Sequence, residues 1–214
     1  MSITLIIVII TCIVSIVSLN NDKMKAELIF WPAVIKNNRQ YYRFLSYGLI
    51  HADYIHLSFN MLSLYSFGVF VEDHLFSAPY FFGEKGKLFF IIMYIGALIV
   101  STIPDYIKYK NVYGYTALGA SGAVSAVIFA GIVLQPQLPI RFMFIPFDIP
   151  GYVFGILFLA LSAYLAKKGT GNIGHVAHFF GALFGVVFTV IAVKAFSTNH
   201  TDVLGDFMRS ILNR

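Results

Sequence analysis

Six long stretches of this chain contain no Asp, Glu, Lys or Arg: residues 3–19, 54–71, 88–104, 119–140, 149–166 and 169–193. No other feature constrains the fold as strongly. A hydrocarbon core ~30 Å thick needs roughly 17–25 apolar residues in one helix, and each stretch meets that need. Charged residues are only 12% of the 214, about half the ~25% usual in a soluble domain, and 22 Phe and 13 Tyr accompany them. These features predict an all-α membrane protein. Its expected form is one six-helix membrane domain over 1–194, then a short polar tail, 195–214, able to form a surface helix.

The first stretch could be mistaken for a secretory signal. It has no basic n-region, and Asn20-Asn21 follows it rather than a small-residue cleavage site, so a retained helix is expected. A long connection, 20–53, mixes Lys23, Lys25, Glu27, Lys36, Arg39 and Arg43 with Trp31, Tyr41, Tyr42 and Tyr47. This composition suits the headgroup layer. It is compatible with a helix lying in the membrane plane and equally with a packed extramembrane loop. The second helix is expected from about 54 to 71, stopped by Glu72-Asp73. The third covers about 88–103 and ends before Pro104. The fourth runs from near Ala120 to Leu134, ahead of Pro136 and Pro139. The fifth covers about 151–166 and the sixth about 174–194.

The formal charge of +5 does not point to nucleic acid. The basic residues sit in short loops that meet lipid headgroups or water, so the bilayer is the expected partner. Cys12 is the single cysteine, which excludes an intramolecular disulfide and a Cys-based metal site. If all six helices span, Lys85, Lys87, Arg141, Lys194, Arg209 and Arg214 share the N-terminal side. Lys23, Lys25, Lys36, Arg39, Arg43, Lys108, Lys110, Lys167 and Lys168 face the other. A positive-inside count then puts the N-terminus outside.

Polar groups inside an apolar medium cost several kcal/mol unless they face a bundle interior or cavity. The second helix carries His56 and Asn60, four apart and on one face. The fourth carries Ser121 within Gly119-Ala120-Ser121-Gly122. The sixth carries His175 and His178. Helices two, four and six of an up-and-down bundle run in the same direction, and all five residues lie in the first third of their helices. They are therefore expected at one depth. Serine is a weak nucleophile until a neighbouring base takes its proton, and His178 or His175 could do so. With no Asp or Glu inside any expected span, the pattern predicts a Ser–His dyad rather than a triad. An oxyanion needs donors: Asn60 offers a side-chain NH2, His56 a ring N–H, and Ser121 its backbone N–H at a helix start. Gly181 and Gly185 make a small-residue face below His178. Gly122, with Ser121 and Ser125, slims the fourth helix, which suits close helix approach.

Each piece has a plainer reading. GxSG in a Gly- and Ala-rich helix is often only a packing face, and a lone Asn or His often only an interhelical hydrogen bond. His175 and His178 could hold a metal with His51 and His56, but carboxylates are lacking and the 51–56 spacing does not share a helical face. No metal or cofactor is expected. A channel or transporter would show ionisable groups deep in its spans or broken helices, and neither is present.

Taken together the strings resemble the rhomboid family of intramembrane serine proteases. They are Tyr42-Arg43, Tyr47-Gly48 leading to His51, His56-Leu57-Ser58-Phe59-Asn60, Gly119-Ala120-Ser121-Gly122, and Ala177-His178-Phe179-Phe180-Gly181 continuing to Gly185. The resemblance covers roughly 40–194 and implies a six-transmembrane-helix rhomboid-like bundle. It implies Ser121 as nucleophile, His178 as general base, and His56 and Asn60 as oxyanion donors. Arg43 matches an arginine that supports the first loop, while Gly119, Gly122, Gly181 and Gly185 give structural support. It also implies single-pass membrane proteins as substrates and a cytoplasmic N-terminus, against the charge count. The expected location is a multi-pass position in a bacterial inner membrane. Two positions depart from the family pattern. Tyr42 stands where a Trp precedes the arginine, and Ser125 stands where some members place an aromatic residue against the catalytic histidine. The alternative function is a non-proteolytic rhomboid-like protein that binds unstable transmembrane helices.

Overall fold

The computed structural model describes residues 2–141, 147–168, 174–198 and 202–212. The chain is an integral membrane protein built mostly from helices. In order these are α1 (Ile3–Leu19), α2 (Asp22–Leu28), α3 (Pro32–Asn38), α4 (Arg43–Ser46), α5 (Tyr54–Val69), α6 (Gly86–Tyr109), α7 (Ser121–Leu134), α8 (Gly151–Lys168), α9 (His175–Phe196) and α10 (Val203–Leu212). A two-residue hairpin, β1 (Pro139–Ile140) and β2 (Ile149–Pro150), joins α7 to α8. An exposed ion pair, Arg141–Asp148, closes it at 2.7 Å. Four helices are long and apolar enough to cross a membrane: Tyr54–Phe76, Gly83–Tyr109, Gly151–Lys168 and His175–Phe196. Ile3–Leu19 and Ser121–Leu134 are apolar but shorter. The start of the apolar stretch 169–193 and the tail's Arg214 lie outside the described residues.

Surface and interior are arranged for lipid. On α6 Leu88, Ile92, Ile95, Ile99 and Ile103 are exposed at helical spacing, and Phe90, Met93, Tyr94, Ala97 and Ser101 point inward. α7 is the centre: every residue from Gly122 to Val133 is buried. The connection 20–53 is a packed structure of short helices. Pro at the first position of α3 pre-sets the backbone there. Phe30, Ile35, Tyr47 and Ile50 are buried beneath it.

Two helix ends differ from expectation. α5 does not stop at Glu72-Asp73 but runs on as π-helical turns through Phe76. Glu72 is fully buried and accepts from Ser2 Oγ at 2.7 Å and from the backbone N–H groups of Ile3 and Thr4 at 2.7 and 2.8 Å. It caps the start of α1 across the fold, where unpaired N–H groups and the positive dipole end favour an anion. α6 continues through Pro104 to Tyr109. Proline removes one N–H from the ladder. The turn before it is tied by Thr102 Oγ1 donating to Ile99 O at 3.0 Å and by the Tyr47 hydroxyl donating to Leu98 O at 2.8 Å. Helical spans therefore do contain buried carboxylates, Glu72 and Asp105, and both are engaged away from the Ser–His pair. Asp105 accepts from the Tyr115 hydroxyl at 2.7 Å.

Candidate active site

Ser121 is the first residue of α7, and the turn before it is held from three sides. Phe30 and Ala117 exchange backbone hydrogen bonds at 3.0 Å each. Gly119 N–H donates to Tyr47 O at 3.0 Å, and Ala120 N–H donates to His51 Nε2 at 3.4 Å. Gly119 has φ +109°, a region that L side chains rarely adopt. A Cβ there would also lie 2.7 Å from His56 Cε1. No side chain caps α7, whereas Asp53 caps α5 by accepting from His56 N–H at 2.7 Å. The α7 ladder begins with Val124 N–H to Ala120 O at 3.0 Å. The N–H groups of Ser121, Gly122 and Ala123 precede it, so the serine stands at a helix end suited to an anion.

His178, one turn into α9, meets the serine: Nε2 and Ser121 Oγ are 2.6 Å apart. The seam between the helices makes this possible. A Cβ on Gly181 would overlap the Gly122 carbonyl oxygen, and one on Gly185 the Ala126 carbonyl oxygen. Steps of four on both helices match in the same sense, so α7 and α9 run parallel at backbone contact. With Nε2 accepting from the serine hydroxyl, the imidazole proton sits on Nδ1. His175, the other candidate base, stands edge-on to the His178 ring at 5.9 Å between centroids. It makes no hydrogen bond to Ser121 among the described residues.

His56 faces the Gly119 turn. Its Nδ1 accepts from Ala52 N–H at 3.4 Å, which leaves the ring proton on Nε2, the nitrogen turned to Gly119. Asn60 is buried on the same helix face, and its amide nitrogen donates to His56 O at 2.9 Å. One of its two N–H bonds is thereby used inside α5. Arg43 is buried in the first loop. It donates from Nε to Gln40 Oε1 at 2.7 Å and from Nη1 to the carbonyls of Ala26 at 2.9 Å and Ile29 at 2.7 Å. Ser125 is buried and turned back, its hydroxyl donating to Ser121 O at 2.8 Å.

His51 has a role that its sequence position did not reveal. It is fully buried, and the ring packs edge-on to His56 with centroids 4.9 Å apart. Nδ1 is 2.9 Å from Ser15 Oγ, and that hydroxyl donates to Leu49 O at 2.8 Å. Since Nε2 accepts from Ala120, Nδ1 donates to Ser15. Both nitrogens are engaged, so the ring links α1 to the residue before Ser121 and has none left for a metal. Burial, with the neighbouring His56 adding to it and Asp53 opposing, pushes the imidazole down to about 3. The ring is therefore neutral near pH 7. His51 precedes α5, so the two histidines do not share a helical face; the chain turns between them and brings the rings together.

A helical membrane protein with a hydrogen-bonded Ser–His pair on two parallel, glycine-spaced helices is the class that fold and site define. The family profile described as the Rhomboid domain matches residues 38–195; the chain belongs to the rhomboid family. It is similar to rhomboid protease GlpG of Haemophilus influenzae, 23% identical over 168 residues, 78% of each chain. It is likewise similar to the rhomboid-named YdcA of Bacillus subtilis, 27% identical over 159 residues, 73% of this chain and 70% of the other. Rhomboid-like protein 11, chloroplastic, of Arabidopsis thaliana is 27% identical over 165 residues, 72% of this chain and 53% of that one.

Proposed function

We propose that the chain is an intramembrane serine endopeptidase that hydrolyses peptide bonds in or near transmembrane helices through a Ser121–His178 dyad. The observation that carries this is the 2.6 Å approach of His178 Nε2 to Ser121 Oγ. That distance suits proton transfer from a nucleophile to its base. His178 takes the hydroxyl proton as Oγ bonds to the scissile carbonyl carbon. The negative charge on the carbonyl oxygen is met by the Ser121 N–H, the His56 ring N–H and the remaining N–H of Asn60. The C–N bond then breaks, and the leaving amine receives the proton held on His178. Water, deprotonated by the same ring, releases the acyl group and restores the serine.

Six spans are part of the proposal, with α1 and α7 joining the four longer helices. α7 rises ~21 Å at 1.5 Å per residue, less than a ~30 Å core. Complete enclosure by other helices lets it be short, and its start then lies below the surface. The substrates are proposed to be single-pass membrane proteins. The membrane is proposed to be a bacterial inner membrane, with the N-terminus in the cytoplasm. Two bacterial relatives support that location. The domain is proposed to span 1–194.

The test is purified protein in lipid, offered a reporter transmembrane substrate and a serine-directed phosphonate. Ser121→Ala should abolish cleavage and labelling together. Removing a nucleophile of this kind costs on the order of 10⁶ in turnover. Undiminished cleavage by the variant would sink the dyad. Substrate association with no labelling of the wild type would favour a helix-binding protein instead.

A further inference from the structure

We propose that Phe158 on α8 is a positioning residue for His178, holding the imidazole turned toward Ser121. The inference rests on the proposed dyad and adds a residue to it. A single hydrogen bond fixes one atom of the His178 ring and leaves it free to pivot about the Nε2···Oγ line. A second contact on the ring face removes that freedom.

α7 does not supply the contact, because Ser125, one turn below Ser121, is small and its hydroxyl is turned back to Ser121 O. The Phe158 ring does. Its centroid is 6.1 Å from that of His178, with the planes 30° apart. Phe158 is itself wedged between Phe129 of α7, at 5.6 Å, and Phe154 of α8, at 5.7 Å. Gly155 permits this seating. A Cβ there would come 3.3 Å from Phe129 Cε1, so glycine lets α8 close on α7 one turn before Phe158. A row of rings thus runs from the buried centre of α7 through Phe158 to His178. His175 stands nearly perpendicular to the His178 ring, with centroids 5.9 Å apart, and does not stack on it.

The test uses the full chain in proteoliposomes with Phe158→Ala, Phe158→Leu and Phe158→Tyr. An aromatic contact of this kind corresponds to about 3- to 10-fold in rate. Phe158→Ala and Phe158→Leu should lower kcat and the phosphonate-labelling rate together by that factor, with KM unchanged. Phe158→Tyr, which keeps the ring, should restore most of it. The His178 ring signals in histidine-labelled protein, identified by their loss in His178→Gln, should move in the Ala and Leu variants and stay in Tyr. Wild-type kcat in Phe158→Leu with unmoved His178 signals would overturn the proposal, as would a loss confined to KM. A wild type that neither cleaves nor labels would overturn the proteolytic reading instead. The His178 signals would then still decide the contact, because they need no turnover.

Discussion

α7 and α8 follow one another in the chain and are opposites in setting. α7 is buried from Gly122 to Val133. α8 buries Gly151, Gly155 and Ser162, while Ile156, Leu157, Leu161 and Tyr164 are exposed. The difference shows how a Ser–His pair can be held rigidly in a protein whose outer helices meet mostly lipid. The pair depends on one seam, α7 against α9, where glycines meet backbone carbonyls and no side chain can yield. α8 contributes a ring to the site but little to the packing beneath it.

Breaking the seam should give the largest effect. Gly181→Leu must push α9 from the Gly122 carbonyl, and a displacement near 1 Å at a reacting pair costs about 10²-fold in rate. Cleavage assays should show that loss with the apparent melting temperature lowered as well. Full activity in this variant would mean the seam does not set the dyad. The anchored start of α7 gives the next effect. An unfolded imidazole titrates near 6.5, whereas buried His51 is held at about 3. Below about pH 6.5 the unfolded chain binds a proton that the folded chain refuses, so the His51 contribution to stability falls as pH drops toward about 3. Thermal unfolding from pH 7.5 to 4.5 should show a shallower fall for His51→Gln than for the wild type; equal slopes would contradict the assignment. The smallest effect should come from α8. Leu161→Ala removes an exposed side chain and should change stability by less than about 0.5 kcal/mol. Val127→Ala in α7 should cost about 2 kcal/mol by opening a cavity. Comparable losses at the two positions would erase the contrast between the helices.

Much of this was legible beforehand because lipid imposes strict rules on composition. The expected spans 3–19, 120–134 and 174–194 lie within two residues of α1, α7 and α9. Ser121 at the head of a helix followed from the charge-free stretch and its GxSG turn, and His56 with Asn60 on one face from their spacing of four. What escaped were contacts between residues far apart in sequence. Glu72 looked like a stop because it is charged, but α1 supplies the N–H groups that let a helix carry it inward. Pro104 looked like an end because it lacks an N–H, but α6 continues through it to Tyr109. Phe158 was one of 22 phenylalanines, and no spacing distinguishes it from a lipid-facing ring. His51 was noticed as a nitrogen ligand, while its partners, Ser15 and Ala120, lie 36 and 69 residues away.

By itself the sequence determined that the chain must live in a bilayer. Charge is excluded from six stretches, and hydrocarbon tolerates little else. It also determined that the few polar groups in those stretches would have to face one another, since each is costly alone. The resemblance already pointed to His178 as the partner of Ser121; the tertiary structure supplied the physical reason, because the matching of Gly181 to Gly122 brings His178 Nε2 to 2.6 Å from Ser121 Oγ. Only the tertiary structure decided that the ring on His178 comes from α8. Contacts between distant helices depend on how closely backbones approach, and that distance is set by packing.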